Sequence, residues 1–441
     1  MKKILKIISK VAIFLLLLMI INKILIFILV DDADSQFRFS MHEFYNQENI
    51  DVLFLGSSHV FCGVNPAVLE EEWGKDVYLA STSVQKPDVS YYLLNEAVKQ
   101  YDLETVYLDM YYWQYRDDPD ERTQYQMDYI YCVTDYMKPS LDKLKFLLDA
   151  SSADFYLDSF FVPARYGDKI LDLKYIEQVI KSKRSEGYQN YECPEEIADN
   201  YYKGFIYSGG SVENGSLICR RYSGQIEAIE EEAISPYSMK YLKKIIELCD
   251  KNDIELILFS TPMTDYNVAM LENYDHYIQS VKKIAQEYKL EYYDFNLLKE
   301  EYNDYADELF LDSHHLNGNG ANIFSMDLAS LMMQRETEDI SAYFYETIAE
   351  KHMCTSPVSY GLLLEETEEG YRVCPVSNRS EMVLEYRITE IDAETGESHL
   401  IQEYSPNNRF ITGYTGNVSL TIEARVPGSE ENCNVAVISV N

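Results

Sequence analysis

The first thirty residues constrain this chain more than any other feature of its sequence. Four lysines occur within the first ten residues, and an apolar run from Val11 to Ile21 follows them. After Asn22 and Lys23, a second apolar run extends from Ile24 to Val30. A helix of this length crosses a hydrocarbon core of about 30 Å, and a lysine near one end can extend its charge to the headgroups. Residues 1–30 are therefore predicted to form a transmembrane signal anchor.

The charges on the two sides of this segment predict its orientation. Lysines precede the apolar run, whereas Asp31, Asp32 and Asp34 follow it. Lysine and arginine residues that flank a membrane span usually remain on the cytoplasmic side. The N-terminus is therefore predicted to be cytoplasmic and the rest of the chain extracytoplasmic. A cleaved signal peptide is the alternative, but no small-x-small motif precedes Asp31. We expect a single-pass protein of the cell membrane.

Composition excludes some partners of the exported part. The whole chain has 74 acidic and 38 basic residues, a formal net charge of -36, so nucleic acid is not an expected partner.

The eight cysteines form no C-x-x-C pair, which is typical neither of a zinc site nor of a disulfide framework. If a bridge forms, Cys374 and Cys433 are the first pair to test. No cofactor is implied.

The hydrophobic pattern predicts an α/β fold with additions at its ends. Residues 31–49 are polar and are predicted to be a stalk. Strands and helices then alternate within residues 50–334, which predicts a mostly parallel sheet in a three-layer α/β/α sandwich. A long insertion at about 112–234 interrupts this alternation, as a cap or binding lobe does. Residues 335–354 are predicted to be a linker with a helix, and residues 355–441 a small all-β module resembling a sandwich.

Particular segments carry these predictions. Strands are predicted at residues 51–55, 105–108, 254–260 and 290–295, helices at 89–101, 237–250 and 268–288, and C-terminal strands at 372–375, 382–388, 410–415, 418–424 and 434–440.

The first motif whose residues could take part in catalysis is Gly56-Ser57-Ser58-His59, directly after the first predicted strand. The crevice beyond the carboxyl ends of parallel strands is where sites form in open α/β sheets. A serine there can be a nucleophile with backbone N–H groups close by. It can also be an ordinary helix cap.

The second motif is Asp312-Ser313-His314-His315-Leu316-Asn317, before a helix that begins near Gly318. An Asp three residues before a His can accept a hydrogen bond from the imidazole Nδ1–H and leave Nε2 free for a serine proton. A capping loop with surface histidines is one alternative. A metal site made by Asp312, His314, His315 and His59 is another, but we expect none because adjacent histidines point in different directions.

Together these motifs resemble those of the SGNH (GDSL-like) hydrolase superfamily. The resemblance assigns the nucleophile to Ser58, the base to His315 and the orienting carboxylate to Asp312, and it implies a flavodoxin-like sandwich over residues 50–334. The continuation from His315 to Ser325 is similar to the last block of membrane-anchored members. These include the teichoic-acid D-alanylation protein and the alginate O-acetylation proteins.

The chain departs from the family pattern at two positions. In the second block, Ser83 takes the place of a glycine whose N–H helps to form the oxyanion hole, and the backbone N–H survives that change. In the third block, after the strand at 105–108, no Asn occurs from Asp109 to Trp113. The resemblance places the backbone N–H groups of Ser58 and Ser83 at the oxyanion. It places Ser57 and His59 in the substrate-binding part of the cleft.

The expected function is that of an extracytoplasmic serine esterase or O-acyltransferase. It would act through an acyl-enzyme on acyl esters of cell-envelope polysaccharide, and the resemblance implies a membrane-bound O-acyltransferase as a partner. The alternative is a catalytically silent polysaccharide-binding or assembly factor that keeps the fold. The missing third-block Asn favours this alternative, and the spacing of Ser58, Asp312 and His315 opposes it.

Overall fold

The computed structural model describes residues 2–212, 219–222, 227–228, 233–303, 305–367, 370–379, 382–392, 395–406, 409–410, 418–430 and 434–440. Its α-helices are α1 Lys2–Leu29, α2 Gln36–Phe44, α3 Ser58–Gly63, α4 Pro66–Trp73, α5 Pro87–Ala97, α6 Gln124–Thr134, α7 Leu141–Ala150, α8 Tyr156–Phe160, α9 Leu173–Lys183, α10 Glu186–Gln189, α11 Pro236–Lys251, α12 Asp265–Ala269, α13 Tyr274–Tyr288, α14 Gly318–Gln334 and α15 Ile348–Cys354. Its strands are β1 Val52–Gly56, β2 Val77–Ser81, β3 Thr105–Asp109, β4 Tyr201–Tyr202, β5 Phe205–Ile206, β6 Cys219–Tyr222, β7 Glu227–Ala228, β8 Glu255–Ser260, β9 Leu271–Glu272, β10 Glu291–Asp294, β11 Ser359–Thr367, β12 Gly370–Ser377, β13 Glu385–Asp392, β14 Ser398–Ser405, β15 Arg409–Phe410, β16 Val418–Arg425 and β17 Asn434–Val440.

A five-stranded parallel sheet lies at the centre of the chain, with the strand order β10-β8-β3-β1-β2. Strands β1 and β3 are buried along their whole length, as expected for a sheet that is covered on both faces. The mixed α/β class is therefore confirmed. Strand β2 was not among the predicted strands.

The two faces of this sheet support separate apolar cores. Leu53 and Leu55 of β1 belong to a core with side chains of α5, α11 and α13. Val52 and Phe54 belong to a second core with side chains of α3, α4 and α14. Each fully buried Leu or Phe contributes about 1.5–3 kcal/mol, so the strand ends that carry the site rest on a well-packed layer.

The predicted helix at 268–288 is wrong in its first third. Helix α12 ends at Ala269, the two-residue strand β9 follows, and α13 begins only at Tyr274. Asn273 adopts the left-handed conformation (φ 65°) immediately before α13. Asn tolerates this conformation better than most residues, and a single helix cannot pass through it.

Residues 31–49 do not form the predicted stalk. They contain α2, whose N-cap Ser35 accepts a hydrogen bond from the backbone N–H of Arg38. Met41 and Phe44 of this helix are buried in the main core of the α/β domain. Phe37, Met41 and Phe44 do have helical spacing, but this helix of nine residues is shorter than the windows over which periodicity is recognised.

Helix α1 contains a stretch from Ser9 to Leu29 that is long and apolar enough to cross a membrane, a criterion that a signal sequence also meets. Its C-terminal end is docked against the insertion: the Tyr175 hydroxyl donates to the carbonyl of Leu29 (2.7 Å). The Lys183 ammonium donates to the carbonyl of Ile26 (3.1 Å) and pairs with Asp32 (3.0 Å). The insertion is thus a helical lobe (α6–α10) that holds the end of α1.

The C-terminal region contains two four-stranded sheets, ordered β15-β12-β11-β6 and β14-β13-β16-β17. Side chains from both sheets, among them Leu362 and Ile422, meet in one small core. Strand β6 comes from the insertion and pairs in parallel with β11, so the β-rich region is not confined to residues 355–441 as predicted. Most of the predicted strand at 410–415, and Cys433 of the Cys374–Cys433 pair, lie outside the described residues.

Candidate active site

Ser58 lies at the start of α3, immediately beyond the carboxyl end of β1. The turn between them needs the glycine at position 56. A Cβ atom on Gly56 would lie 2.4 Å from Cγ2 of Val60 and 2.5 Å from Cβ of Asp109. This close approach lets the chain turn sharply into α3 and places the Ser58 hydroxyl in a cleft at the edge of the sheet.

The three residues of the predicted triad lie in one hydrogen-bonded chain. Oγ of Ser58 is 2.7 Å from Nε2 of His315. Nδ1 of His315 is 2.8 Å from Oδ2 of Asp312. This order of contacts, hydroxyl to imidazole to carboxylate, is the arrangement that allows an imidazole to take a proton from a serine.

The loop that carries Asp312 and His315 is held in place by its own backbone. Oδ1 of Asp312 accepts hydrogen bonds from the backbone N–H groups of His314 and His315, both at 2.9 Å. Asn317 caps α14 by accepting from the N–H of Gly320 (3.0 Å). A Cβ atom on Gly320 would lie 2.1 Å from the carbonyl oxygen of Leu309, so this residue has to be glycine. The imidazole is therefore presented from a tightly packed turn.

The environment of Asp312 favours its charged form. Burial raises its pKa, but the hydrogen bond and charge of His315, with a further contribution from His314, outweigh burial and hold the pKa well below its usual range. Asp312 is consequently a carboxylate at neutral pH. A carboxylate at this position can fix the His315 tautomer, and it would stabilise an imidazolium if His315 took a proton from the serine.

His59 lies beside His315 in the wall of the cleft, with its side chain almost fully buried. Its Nδ1 is 3.2 Å from Oγ1 of Thr261, and its ring stacks on Tyr111 at a centroid distance of 3.7 Å. Burial, followed by the charges of His315 and His314, lowers its pKa well below 6.5. Its Nε2 has no hydrogen-bond partner among the described residues. His59 is thus a neutral, buried residue against the triad.

Ser57 and Ser83, the other two predicted site residues, differ in position. The side chain of Ser57 is fully buried, and its Oγ has no partner in the described part of the chain. Its hydroxyl therefore does not reach a substrate in the cleft. Ser83 does line the cleft.

The residue after Ser83 has a strained backbone. Val84 adopts φ 56°, which is a genuine outlier for a β-branched residue. The Gln114 amide, in the orientation that lets it donate, contacts the carbonyls of Val84 and Gln85 at 3.2 Å each. Such strain persists only where the surroundings impose it, and it concentrates at functional sites. Nothing in the sequence of this loop predicted the strained conformation.

The cleft around the triad is open and has a volume of about 660 Å³. Its lining is rich in aromatic side chains that the sequence did not assign to the site: Tyr111, Tyr112, Trp113, Tyr125 and Tyr129. Tyr125 and Tyr129 belong to α6, so the insertion forms one wall of the cleft. Tyr and Trp supply large amphipathic surfaces, which suits a ligand with both apolar faces and hydroxyl groups.

Strand β3 ends in a buried carboxyl group, at the start of the segment in which no Asn occurs. Asp109 ends β3, and burial raises its pKa to about 8, an effect that the backbone N–H groups of Ser57 and Tyr111 partly offset. Its side chain contacts the tight turn at Gly56. It therefore supports the turn before Ser58 and does not offer an N–H donor to the cleft.

A metal site was the alternative use of these histidines. One ring nitrogen each of His59, His314 and His315 lies within 4.8 Å of the others, and three imidazoles are a ligand set that suits zinc. However, both nitrogens of His315 already contact Ser58 and Asp312. The observed geometry therefore fits a triad better than a resident metal.

Comparisons with known proteins add no family. No protein-family model matches the chain, and no curated protein matches it. Among solved structures, a modular endo-β-1,4-mannanase from Cellulomonas fimi aligns over 93% of this chain and 98% of its own, with 10% identity and a TM-score of 0.15. A double mutant of the Cellulomonas fimi mannanase aligns with the same identity and TM-score over 94% and 99%. Scores at this level carry no argument about fold or function.

Proposed function

We propose that this protein is a membrane-anchored serine esterase or O-acyltransferase of the SGNH type. The observation that carries the proposal is the chain of contacts from Ser58 through His315 to Asp312, at 2.7 and 2.8 Å. Two residues 257 positions apart in the sequence meet at hydrogen-bonding distance, at the carboxyl edge of a parallel sheet where sites of α/β proteins form. Helices on both faces of that sheet support a flavodoxin-like three-layer sandwich.

In the proposed reaction, Oγ of Ser58 attacks the carbonyl carbon of an ester while Nε2 of His315 takes the hydroxyl proton. The tetrahedral intermediate then expels the alcohol, which receives the proton from the imidazolium. In the second half, water or a sugar hydroxyl gives its proton to His315 and attacks the acyl-serine. Collapse releases an acid or a new ester and returns the proton to Ser58.

The oxyanion would be held by backbone N–H groups. Ser58 is the first residue of α3, and Ser83 lines the same cleft, so both N–H groups belong to elements next to the reacting carbonyl. The strained residue Val84 is held by Gln114, which supports a fixed orientation of this loop. Donors that are fixed before reaction stabilise the developing charge without reorganisation.

Acyl esters of cell-envelope polysaccharide are the proposed substrates. The aromatic lining of the cleft suits sugar rings, because Tyr and Trp combine an apolar face with a polar edge. Docking of the end of α1 into the lobe, with Leu29 and Val30 buried at 1% and 6% exposure, supports a retained anchor, and the lysines that precede its apolar run favour an N-terminus in the cytoplasm. A membrane-bound O-acyltransferase would be the natural supplier of acyl groups to such an enzyme.

Labelling with a fluorophosphonate probe tests the proposal. The full chain in detergent micelles should be labelled, and Ser58→Ala and His315→Ala should both abolish labelling. Ser57→Ala is the matched control, because it removes the neighbouring hydroxyl, and it should retain labelling. Labelling that persists in Ser58→Ala would contradict the assignment of the nucleophile.

The second candidate is a polysaccharide-binding or assembly factor without catalysis. It is favoured by the absence of an Asn from Asp109 to Trp113, the segment in which the resembled family has an amide donor. A folded wild-type chain that resists the probe, yet binds envelope polysaccharide in a manner unaffected by Ser58→Ala, would support this candidate over the esterase.

A further inference from the structure

We propose that the insertion lobe itself enters the lipid surface beside α1, through a cluster of exposed apolar side chains that we call the lipid-facing patch. The patch consists of Tyr156, Leu157, Phe160, Ile170, Leu171 and Leu173. These residues lie on α8, at the start of α9 and in the turn before α9. The inference is independent of the catalytic proposal, because none of them lines the cleft.

The exposure of these side chains is the first observation. Leu171, Leu173 and Leu157 are 88%, 77% and 67% exposed. Isolated apolar residues on a surface are common, but contiguous apolar patches mark sites of interaction with proteins or membranes. Three leucines that are each exposed by two thirds or more, on the two segments that flank the 3₁₀ segment Val162–Lys169, therefore indicate a surface that is covered by another molecule.

The position of the patch relative to α1 identifies that surface. The apolar stretch Ser9–Leu29 has 21 residues, which at about 1.5 Å per residue match a hydrocarbon core of about 30 Å. Leu29 would thus lie at the outer boundary of the core. The hydroxyl of Tyr175 contacts the carbonyl of Leu29 at 2.7 Å, and Leu171 and Leu173 lie within four residues of Tyr175.

The remaining part of the patch is connected to the same boundary. Helix α1 packs against both α9 and the 3₁₀ segment Val162–Lys169, and α8 packs against that segment too. Leu157 and Phe160 therefore lie on α8, which packs against a segment that itself packs against α1. A membrane that surrounds α1 meets the patch without any rearrangement of the lobe.

The charge around the patch is nearly balanced, unlike that of the chain as a whole. Residues 154–184, which contain the patch, include six basic and five acidic residues, in a chain whose net charge is -36. Lys183 pairs with Asp32, Arg165 with Asp135, and Lys169 with Asp168. Three further cations, Lys174, Lys181 and Arg184, are exposed, as are Asp154, Asp172 and Glu177. A balanced surface lets the apolar side chains approach anionic headgroups, which the acidic remainder of the chain would repel.

Lipid is favoured over a second copy of the chain as the occupant. Because α1 is docked on the lobe at Ile26 and Leu29, lipid around the end of α1 would lie next to the lobe, and in the proposed arrangement the patch meets the headgroups when α1 spans the bilayer. The two attachments together would fix how the lobe, and with it the Tyr125 and Tyr129 wall of the cleft, is oriented above the membrane.

Tryptophan fluorescence in vesicles tests the inference. The full-length Leu171→Trp variant is reconstituted into phosphatidylcholine–phosphatidylglycerol vesicles that contain phospholipids with a quencher near the headgroup end of the acyl chain. The signal of the wild-type chain, with Trp73 and Trp113, is subtracted. We expect blue-shifted emission from position 171 and loss of most of it to the quencher.

Leu400→Trp is the matched control, because Leu400 is an exposed leucine (48%) outside the insertion, on β14. Its emission should remain solvent-like and unquenched. Leu173→Trp should repeat the result of Leu171→Trp, and the double variant Lys174→Glu/Lys181→Glu should weaken quenching at position 171 in anionic vesicles. Solvent-like, unquenched emission at position 171 would overturn the inference. Blue-shifted emission without quenching would overturn it as well, since it would place protein, such as a second copy, over the patch.

Discussion

The active-site cleft and the segment that holds α1 both involve the insertion lobe, but they are built in different ways. At the cleft, the lobe contributes only a wall of aromatic side chains, and the reacting groups come from the edge of the central sheet. At α1, the lobe makes the attachment itself, through Tyr175 and the buried ion pair of Lys183 with Asp32.

The cleft and the α1 attachment therefore depend on different interactions. The proposed triad consists of two short hydrogen bonds, whose loss would remove the proposed chemistry while leaving the packed layers intact. The α1 attachment relies on burial and on a charge pair with side-chain exposures of 2% and 10%. Substitutions in the first region should therefore change rates, and substitutions in the second should change stability.

The largest expected effect separates two adjacent histidines. His315→Ala should lower kcat/KM for a simple aryl ester by about 10³–10⁶, because it removes the base that takes the Ser58 proton. His314→Ala is the matched control and should lower it by less than about tenfold. Steady-state hydrolysis by the full chain in detergent measures both. Equal losses in the two variants would show that the 2.7 Å contact of His315 has no special role.

The next effect concerns the α1 attachment. Lys183→Met should destabilise the folded chain by about 3–5 kcal/mol, because it leaves the Asp32 charge buried without its partner. Lys282→Met breaks the exposed pair with Glu346 and should cost less than about 1 kcal/mol. Denaturant unfolding of both variants gives the comparison. A destabilisation of Lys183→Met no larger than that of Lys282→Met would show that the buried pair does not hold the lobe to α1.

A smaller effect is expected from the carboxyl group behind Ser58. The pKa of Asp109 is raised to about 8 by burial, above that of an unfolded Asp, so the folded state binds more protons between these values. Stability should therefore fall as pH rises from about 4 to about 8. Asp109→Asn should raise the unfolding free energy by about 1–3 kcal/mol at pH 9 and change it little at pH 4. Denaturant unfolding at both pH values measures the difference, and an equal effect at both would contradict it.

The smallest effect concerns backbone strain beside Ser83. Val84→Gly should stabilise the fold by about 1–2 kcal/mol, since glycine adopts φ 56° without a steric cost. Lys289→Gly offers a matched control, because Lys289 has φ 57° at the end of α13. Both should raise the midpoint of thermal unfolding, but only Val84→Gly should also lower kcat, by loosening the loop of Ser83. An unchanged kcat in Val84→Gly would show that the conformation of the Ser83 loop does not affect catalysis.

The sequence predicted the parts of the fold that depend on local pattern. A short apolar strand followed by Gly56 predicted β1 and the turn to Ser58, and the spacing of Asp312 and His315 predicted a contact that needs only one turn of chain. The meeting of Ser58 with His315 was predicted through the resemblance, since nothing local joins residues 257 positions apart.

The parts that were missed depend on tertiary packing. Helix α2 is stabilised by Met41 and Phe44 in a core made by distant strands, and its nine residues between polar segments are too short to reveal that packing. The burial of Ser57 follows from the turn at Gly56, and the conformation of Val84 is imposed by Gln114. Strand β6 forms by pairing with β11, a partner more than a hundred residues away that no local pattern reveals.

Trapping the acyl-enzyme tests whether Ser58 is the nucleophile. The full chain is mixed with an activated acetyl ester, quenched in acid within the first turnover, and mapped by peptide mass spectrometry with fragment-ion sequencing. We expect one acetyl group on Ser58, absent from Ser58→Ala and retained in Ser57→Ala. An acetyl group on Ser57, or an unmodified Ser58 in a chain that hydrolyses the ester, would contradict it.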